Sequence, residues 1–329
     1  MLDPLSDILA TMRVANAITV RFESRGSYAM RFPAFEHLKF GALLFGSFEL
    51  RPDNASPLRL NSGDCYLLTG GAPYATRSGN APEMDGESYF RRNRDSAGVV
   101  RYGKGPPDKV VIGGRFKFDE LGAQWLRTAL PPLVHIPAEA PSAAPIRATL
   151  ELLQGETGRH ALGENLVIDR LADILLVQAL RAHLAMNGEN QVSWLAGLTD
   201  PRLGTALRAF HSNIAADWTV ESLATEAGMS RSSFADHFRK RTGLAPIEYV
   251  SRWRLFRIRR VLLATDRPFA TIAADHGWQS RTSCSRAFRE LFGATPHQLR
   301  IQSSCVAGTT IERGDFSTVE DAEPLRKTG

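Results

Sequence analysis

The strongest constraint on the fold is an internal repeat near the C-terminus. Residues 223–246 and 272–296 follow one pattern: an aliphatic residue and an alanine, a glycine, a serine, two apolar residues four apart, a second glycine and a proline. The offset is 49 residues up to the first glycine and 50 after it, because the second turn holds one extra residue. Self-similarity of this kind indicates a duplicated supersecondary unit.

Each unit has the features of a helix-turn-helix. A glycine can adopt the left-handed conformation that ends a first helix, and the serine after it is suited to cap a second one. Two apolar residues four apart share one face of that second helix, so we expect them to be buried. The opposite face can then enter a major groove of DNA. The glycine, serine and apolar pair are Gly228, Ser230, Phe234 and Phe238 in the first unit and Gly277, Ser280, Cys284 and Phe288 in the second.

The outward face of each second helix is predicted to contact DNA. Arg239 and Arg289, near the helix ends, would contact phosphates and set affinity more than specificity. Asp236 cannot attract a phosphate, but its carboxylate can accept a hydrogen bond from a cytosine amino group. The predicted base-reading residues are Arg231, Ser232, Ala235 and Asp236 in the first unit and Arg281, Thr282, Ser285 and Arg286 in the second.

The segment 248–265, between the two units, is predicted to be a connecting helix that is apolar on several sides. Its 18 residues would span about 27 Å at roughly 1.5 Å per residue. That length is compatible with two recognition helices in successive turns of the major groove, about 34 Å apart. Its arginines cannot all be buried and could line a phosphate path; they are Arg252, Arg254, Arg257, Arg259 and Arg260.

Positive charge is concentrated in this part of the chain. Residues 201–300 contain 16 basic and 8 acidic residues, a net charge of +8, whereas the remainder has 24 and 27, a net charge of −3. Fifteen of those 16 basic residues are arginines, whose forked guanidinium matches phosphate oxygens and guanine edges. The distribution predicts double-stranded DNA as a partner. An arginine-coated helical domain without a nucleic-acid partner is the alternative that charge alone leaves open.

The first 120 residues are predicted to be β-rich. Short segments of branched and aromatic residues alternate with turn residues, as is typical of a barrel or a sandwich. Residues 79–108, which contain several glycines and prolines, are predicted to be a long irregular connection. The candidate strands are Ala17–Glu23, Lys39–Leu50, Cys65–Leu68 and Lys109–Phe118.

From Pro141 onward the pattern becomes helical, with predicted helices at Ile146–Leu153 and Glu164–Met186. The second helix is more apolar than a one-sided surface helix requires. It therefore either packs against the β-rich domain or forms a dimer interface, and both could hold on different faces. Residues 187–200 are predicted to be a linker, and 303–329, which lack apolar periodicity, a loose tail.

Several segments resemble the AraC/XylS family of bacterial transcription regulators. The likeness covers residues 200–302 and is most specific at Gly277–Ser280 and Gly293–Arg300. Other segments resemble the cupin-type sensor domain of one subgroup and its junction with the DNA-binding domain. These are Pro4–Leu9, Leu38–Phe40 and Gly63–Leu68 in the sensor domain, and Trp194–Ala196 and Asp200–Arg202 at the junction.

The resemblance implies an α+β chain of two domains. Residues 1–186 would form a cupin-like β-barrel with a helical appendage, and residues 201–302 an all-α domain with two helix-turn-helix units. The implied function is sequence-specific regulation of transcription, by family habit activation. The implied partners are promoter DNA, a small-molecule effector, a second copy of the chain and RNA polymerase. An architectural DNA binder without an effector is one alternative.

The mouth of a cupin barrel can bind an apolar or aromatic effector. Aromatic side chains that point inward are also needed for packing, so the candidate lining residues have two interpretations. They are Phe32, Phe40, Phe45, Tyr66 and Tyr74.

A metal-dependent cupin enzyme fused to a DNA-binding domain is the second functional hypothesis. Catalytic cupins bind a metal through two histidines and a carboxylate on one strand and a later histidine. Here Lys39–Leu44 contains no histidine pair, Tyr74 stands at the later position, and His37 and His135 are isolated. No nucleophile–base pattern, Walker loop or dinucleotide fingerprint is present either. The sequence therefore predicts no catalytic residue, no metal and no cofactor.

The three cysteines, Cys65, Cys284 and Cys305, are odd in number and far apart. This spacing disfavours a disulfide framework or a zinc site and favours a reducing cytoplasm. No apolar run reaches about 18 residues and the N-terminus lacks a secretory pattern, so no membrane partner is expected. Cys284 stands where the family has a larger apolar residue. A small buried thiol is the expected role, with redox sensing as the alternative.

Overall fold

The computed structural model describes residues 3–12, 16–96, 98–117, 120–156, 161–187 and 192–302. The predicted tail, 303–329, lies outside the described residues. The chain divides into two compact units, Met1–Val250 and Ser251–Gly329. The first unit therefore contains the β-rich region together with the first helix-turn-helix, and the second unit contains the other helix-turn-helix.

The strands of the first unit form two sheets. Their orders are β11-β6-β3-β10-β1-β9 and β5-β4-β7-β2-β8. The predicted α+β class, with a β-rich N-terminal domain and a helical C-terminal part, is confirmed, although neither sheet closes into a barrel. The strands are β1 (Asn16–Ser24), β2 (Tyr28–Phe32), β3 (Leu38–Phe45), β4 (Ser47–Pro52), β5 (Leu58–Asn61), β6 (Cys65–Leu68), β7 (Tyr74–Ser78), β8 (Glu83–Asp85), β9 (Val99–Tyr102), β10 (Lys109–Lys117) and β11 (Leu133–Ile136).

Apolar side chains from both sheets meet in one core. Tyr28 and Met30 of β2 pack with Phe22 of β1 and Leu43 of β3, and all four are buried. The core also fixes a close approach between β3 and β6. Gly41 pairs with Tyr66 across the two strands, and a Cβ at Gly41 would lie 2.2 Å from the Tyr66 ring. Only glycine leaves room for that ring.

The region 79–108 is not the irregular connection that its glycines and prolines predict. It contains β8, the helix α2 (Gly86–Asn93) and β9. β8 pairs in parallel with β2, and β9 pairs in parallel with β1. The side chain of Asp85 caps α2 by accepting a hydrogen bond from the Ser88 amide. Pairing with strands distant in sequence thus orders a segment that looks irregular locally.

The helices of the first unit begin with α1 (Pro4–Met12) and α3 (Glu120–Ala129). Both helices predicted after Pro141 are confirmed, as α4 (Ala143–Glu156) and α5 (Glu164–Asn187). α5 contacts α4, β1 and β11, which confirms burial of one face against the β-rich domain. Other apolar side chains of α4 and α5 are exposed, among them Leu152 at 62% and Leu166 at 60%.

Part of the predicted linker 187–200 is a helix, α6 (Trp194–Thr199). Trp194 is buried, stacks on Trp125 with ring centroids 5.7 Å apart, and donates a hydrogen bond from Nε1 to the Trp125 carbonyl. The Ser193 side chain caps the helix by accepting from the Ala196 amide. Trp194 therefore fixes this mostly polar segment through a contact with a residue 69 positions earlier in the chain.

Four helices follow. They are α7 (Leu203–Ser212), α8 (Val220–Glu226), α9 (Arg231–Thr242) and α10 (Pro246–Ala264). The boundary between the two units falls within α10, and the second unit adds α11 (Phe269–Asp275) and α12 (Arg281–Phe292). No helix in the described part of the chain is long and apolar enough to cross a membrane.

A buried chain of polar groups joins α1 to the helices near the first helix-turn-helix. His211 Nδ1 lies 2.8 Å from Asp7 Oδ2, and His211 Nε2 lies 2.9 Å from Tyr249 Oη. All three residues are almost completely buried. A buried carboxylate needs such partners, because desolvation of an unpaired charge is very unfavourable.

We expect His211→Ala to destabilise the protein by about 3 kcal/mol, because it leaves Asp7 buried without the imidazole. Denaturant unfolding followed by circular dichroism measures this loss. His297→Ala, at an exposed position of the helical region, is the control and should change stability by less than about 0.5 kcal/mol. Equal effects of the two substitutions would contradict a structural role for the buried chain.

Candidate nucleic-acid interface and effector cavity

The first helix-turn-helix consists of α8, a tight turn and α9. Gly228 in the turn has a φ of 63°, the left-handed conformation predicted for it. The Ser230 side chain accepts a hydrogen bond from the Ser233 amide at 3.3 Å and caps α9. Both local predictions are confirmed. α9 then ends at Gly243, which is also left-handed.

The inner face of α9 is fixed by two aromatic side chains. Phe234 and Phe238 are completely buried, with ring centroids 5.6 Å apart, and Phe238 also packs edge-on against Tyr249. The helical period then places the predicted contact residues on the other side. Arg231, Ser232, Asp236 and Arg239 are exposed, and Ala235 is partly exposed.

The junction residue Asp200 holds α9 in a way that the sequence pattern did not predict. Its Oδ1 accepts from the Leu203 amide at the start of α7, and its Oδ2 lies 2.8 Å from His237 Nε2 on α9. Burial favours a raised pKa for Asp200, but these hydrogen bonds and the His237 charge outweigh it and lower the pKa. Asp200 therefore links α7 to the side of the recognition helix.

The second helix-turn-helix, α11 and α12, repeats this construction. Gly277 has a φ of 77°, and Ser280 caps α12 by accepting from the Ser283 amide at 3.3 Å. Cys284 and Phe288 are completely buried in a core with Leu255, Ile258 and Ile272. On the opposite face Arg281, Thr282, Arg286 and Arg289 are exposed and Ser285 is partly exposed.

Arg286 forms an ion pair with Glu290 at 3.8 Å, and both side chains are more than two-thirds exposed. Pairs of this kind contribute little to stability in water. Little free energy would therefore be lost if Arg286 left Glu290 to contact DNA.

The connector arginines Arg254 and Arg259 make contacts within the second unit. Arg254 donates a hydrogen bond to the carbonyl of Gly277 at 3.1 Å, and the Arg259 guanidinium lies over the Phe292 ring. These contacts give the two arginines a structural role, and their place in a phosphate path stays a prediction. Arg260 is exposed, and Arg252 and Arg257 are partly buried.

A cavity of about 680 Å³ opens between the two sheets and α2. Four of the five predicted lining residues border it: Phe32, Phe40, Tyr66 and Tyr74. Phe45 does not, and that prediction is wrong. It is 57% exposed at the end of β3, where Gly46 turns the chain into β4 beyond the sandwich interior.

Lys39 stands in this cavity within an aromatic cage of Phe32, Phe35 and Tyr74. Its Nζ lies 4.8 Å from the ring centroid of Tyr74, 4.9 Å from that of Phe35 and 5.7 Å from that of Phe32. It also donates a hydrogen bond to Tyr74 Oη at 3.3 Å. Burial lowers the pKa of Lys39 to about 8, with Arg115 adding to the effect and Glu87 opposing it. The sequence of β3 did not reveal this role of the lysine, because the cage comes from two other segments, 32–35 and β7.

The histidines considered for metal binding lie in different surroundings. His37 borders the cavity, whereas His135 is on β11, 3.4 Å from Asp64 Oδ2. Among the described residues no group of three or more histidine, cysteine, aspartate or glutamate side chains is arranged to hold a metal ion.

Both described cysteines are buried thiols. Burial raises the pKa of Cys284 to about 12, and burial together with the Asp64 charge does the same for Cys65. Because the thiolate is the reactive form, neither is suited to react rapidly with oxidants. The expected small buried thiol at Cys284 is confirmed, and Cys305 lies outside the described residues.

Comparison with known proteins finds two domain families along the chain. The cupin family matches residues 3–185, and the helix-turn-helix domain family matches residues 223–302. A putative AraC-like transcription regulator of Streptomyces lividans is 36% identical over 302 residues, which cover 91% of this chain and 98% of the relative. The chain belongs to the AraC family of transcription regulators.

Two further relatives of this regulator match along most of its length. A putative AraC-like transcription regulator of Streptomyces antibioticus is 35% identical over 301 residues, covering 91% of this chain and 98% of the relative. The HTH-type transcriptional regulator AlkR of Acinetobacter baylyi is 29% identical over 309 residues, covering 92% and 100%. The resemblance stated from the sequence is confirmed, and with it a cupin domain joined to a DNA-binding helix-turn-helix region.

We expect Cys65 and Cys284 of the native regulator to resist alkylation by N-ethylmaleimide at pH 8, because their raised pKa values leave almost no thiolate. Peptide mass mapping before and after denaturation measures the reaction at each thiol. Labelling of both only after unfolding is the predicted result. Rapid labelling of Cys284 in the native protein would revive the redox-sensing interpretation.

Proposed function

We propose that this regulator binds promoter DNA sequence-specifically through the outward faces of α9 and α12. The burial of Phe234 and Phe238 in α9, and of Cys284 and Phe288 in α12, is the observation that supports this proposal. Burial on one side turns each set of polar residues to the solvent. A helix with a fixed apolar side and an exposed polar side is suited to a major groove.

Within each face the proposed roles differ. Arg239 and Arg289, in the last turn of their helices, contact phosphates, which carry no sequence information directly. Asp236 accepts from a cytosine amino group. The proposed base-reading residues are Arg231, Ser232, Ala235 and Asp236 on α9 and Arg281, Thr282, Ser285 and Arg286 on α12.

We further propose that a small molecule bound in the cupin cavity modulates DNA binding. The volume of about 680 Å³ lies in the usual range for ligand pockets, roughly 300–1,000 Å³. The aromatic cage and Tyr66 offer flat apolar surfaces, and Lys39 and Arg115 offer positive charge. This role contains no catalytic step. Stoichiometric iron, manganese or zinc in the purified protein would favour the cupin-enzyme alternative instead.

A homodimer is proposed from the exposed apolar side chains of α5. Leu166, Val167 and Ile174 are 60%, 42% and 47% exposed, and their spacing of seven and eight residues puts them on one helix face. Large apolar side chains exposed together on one helix face are typical of an interaction surface. Activation of transcription, contact with RNA polymerase and a cytoplasmic location are carried over from the family as proposals.

We expect Arg289→Ala to reduce the slope of log Kobs against log salt by about one unit, because one phosphate contact is lost. Fluorescence anisotropy with a labelled promoter duplex at several salt concentrations gives the slope. Arg59→Ala, at an exposed arginine of β5, is the control and should leave the slope unchanged. An unchanged slope for Arg289→Ala would remove that residue from the interface.

We expect the double substitution Leu166→Glu and Ile174→Glu to convert a dimer into a monomer, because like charges would face each other across the two-fold axis. Sedimentation equilibrium of the full chain measures the mass. Ile247→Glu, at an exposed apolar residue on α10, is the control. A dimeric double variant would place the dimer interface elsewhere.

A further inference from the structure

Lysine is scarce in this protein, and one of its few lysines stands in the cavity. The 40 basic residues comprise 34 arginines and 6 lysines. The cavity is bordered by three arginines, Arg91, Arg94 and Arg115, and by one amine, Lys39. The two side chains differ chemically, because a guanidinium stays protonated whereas a buried amine can lose its proton and act as a nucleophile.

Partial burial shifts Lys39 toward the neutral amine, since desolvation disfavours the charged form. Three aromatic rings of the cage surround Nζ, where their faces attract the ammonium, and the side chain is partly buried. No carboxylate of the described residues forms an ion pair with it. Desolvation lowers its pKa to about 8, although Glu87 raises it, and Arg115 adds to the lowering. A lowered pKa of this kind is the usual way in which a lysine becomes nucleophilic at neutral pH.

Tyr74 supplies a proton donor beside this amine. Its Oη is 3.3 Å from Lys39 Nζ, and burial raises the pKa of Tyr74, so the hydroxyl keeps its proton. Phe32 stacks on the Tyr74 ring at 4.8 Å with an interplanar angle of 12°, which holds the ring in place. The cage also offers flat apolar surface to a second aromatic ring.

We propose that Lys39 forms a reversible imine with an aldehyde that has an aromatic or similarly flat apolar body. This inference rests on the proposed function, because it names the chemical class of effector for the cupin cavity. The geometry places an amine, a proton donor and flat aromatic surfaces next to one another in the cavity.

The reaction is a condensation that needs neither oxidant nor reductant. The nitrogen lone pair attacks the carbonyl carbon, and the carbonyl oxygen takes up a proton as the nitrogen loses one, which gives a carbinolamine. Tyr74 then protonates the departing hydroxyl, the carbon–oxygen bond breaks, and water leaves as the carbon–nitrogen double bond forms. The proton remaining on nitrogen returns to Tyr74. Aldehyde and amine are thus converted to imine and water.

Reductive trapping of the full chain tests the proposal. The protein is incubated with benzaldehyde and sodium cyanoborohydride at pH 7, and peptide mass mapping locates benzylated lysines. A pKa of about 8 leaves Lys39 roughly 300-fold more often neutral than a lysine at 10.5, so we expect it to be labelled at least about tenfold faster than the exposed Lys104 and Lys240. Equal labelling of the three lysines would overturn the proposal.

Two variants test the role of the amine and the hydroxyl. Lys39→Arg keeps the charge but cannot form an imine, so the fast adduct should disappear, whereas Lys104→Arg should leave it unchanged. Tyr74→Phe should slow the trapping at Lys39 without moving the adduct. Circular dichroism checks that the variants fold, and persistence of the fast adduct in Lys39→Arg would contradict the proposal.

Benzyl alcohol separates this inference from the proposed function, because it has the same ring and no carbonyl. Binding of benzyl alcohol in the cavity without a Lys39 adduct from benzaldehyde would overturn the imine and leave the cavity as a noncovalent effector site. A Lys39 adduct that leaves promoter affinity unchanged would support the imine and count against the effector role.

Discussion

The orientation of α9 and α12 depends on one constraint, which is the burial of two side chains four residues apart. Burying a phenylalanine is worth roughly 2–3 kcal/mol, so rotating either helix away from its apolar contacts would be strongly unfavourable. Phe234 and Phe238, like Cys284 and Phe288, therefore determine which side chains face the solvent. The polar faces that we propose for DNA recognition follow from this packing, because the helical period places them opposite the buried pair.

The first helix-turn-helix is built into the same compact unit as the cupin sheets. The Asp7–His211–Tyr249 chain ties α1 to α7 and α10, and the stacked Trp125 and Trp194 tie α3 to α6. The proposed effector cavity and one DNA-binding element are thus parts of one packed body. If an effector binds in the cavity as we propose, this shared packing would connect it to the orientation of α9.

Local features were predictable from the sequence, and features assembled from distant segments were not. The glycine turns and serine caps involve neighbours within a few residues, so both helix-turn-helix units could be derived. β8, β9 and α2 depend on pairing with β1 and β2, and the burial of Trp194 depends on Trp125. From sequence alone, residues 79–108 are therefore typical of a loop and residues 187–200 of a linker.

The effector cavity shows the same division. Aromatic composition predicted four of the lining residues, but it also suggested Phe45, because the end of β3 cannot be read from its composition. The cage around Lys39 could not be predicted from the sequence, because Phe32 and Tyr74 meet only through the pairing of β2 with β7. Phe35, which completes the cage, lies in the loop after β2. Similarly, the contacts of Arg254 with Gly277 and of Arg259 with Phe292 join residues distant in sequence, so the sequence did not distinguish these arginines from others of the connector.

The most direct test of base recognition through the exposed faces of α9 and α12 is a selection of bound duplexes from a random-sequence library. The selection is carried out with the intact regulator and with its Arg286→Ala variant. We expect both proteins to select the same consensus except at one or two adjacent base pairs, where the variant loses its preference. A wild-type consensus that the variant reproduces at every position would contradict recognition through the exposed face of α12.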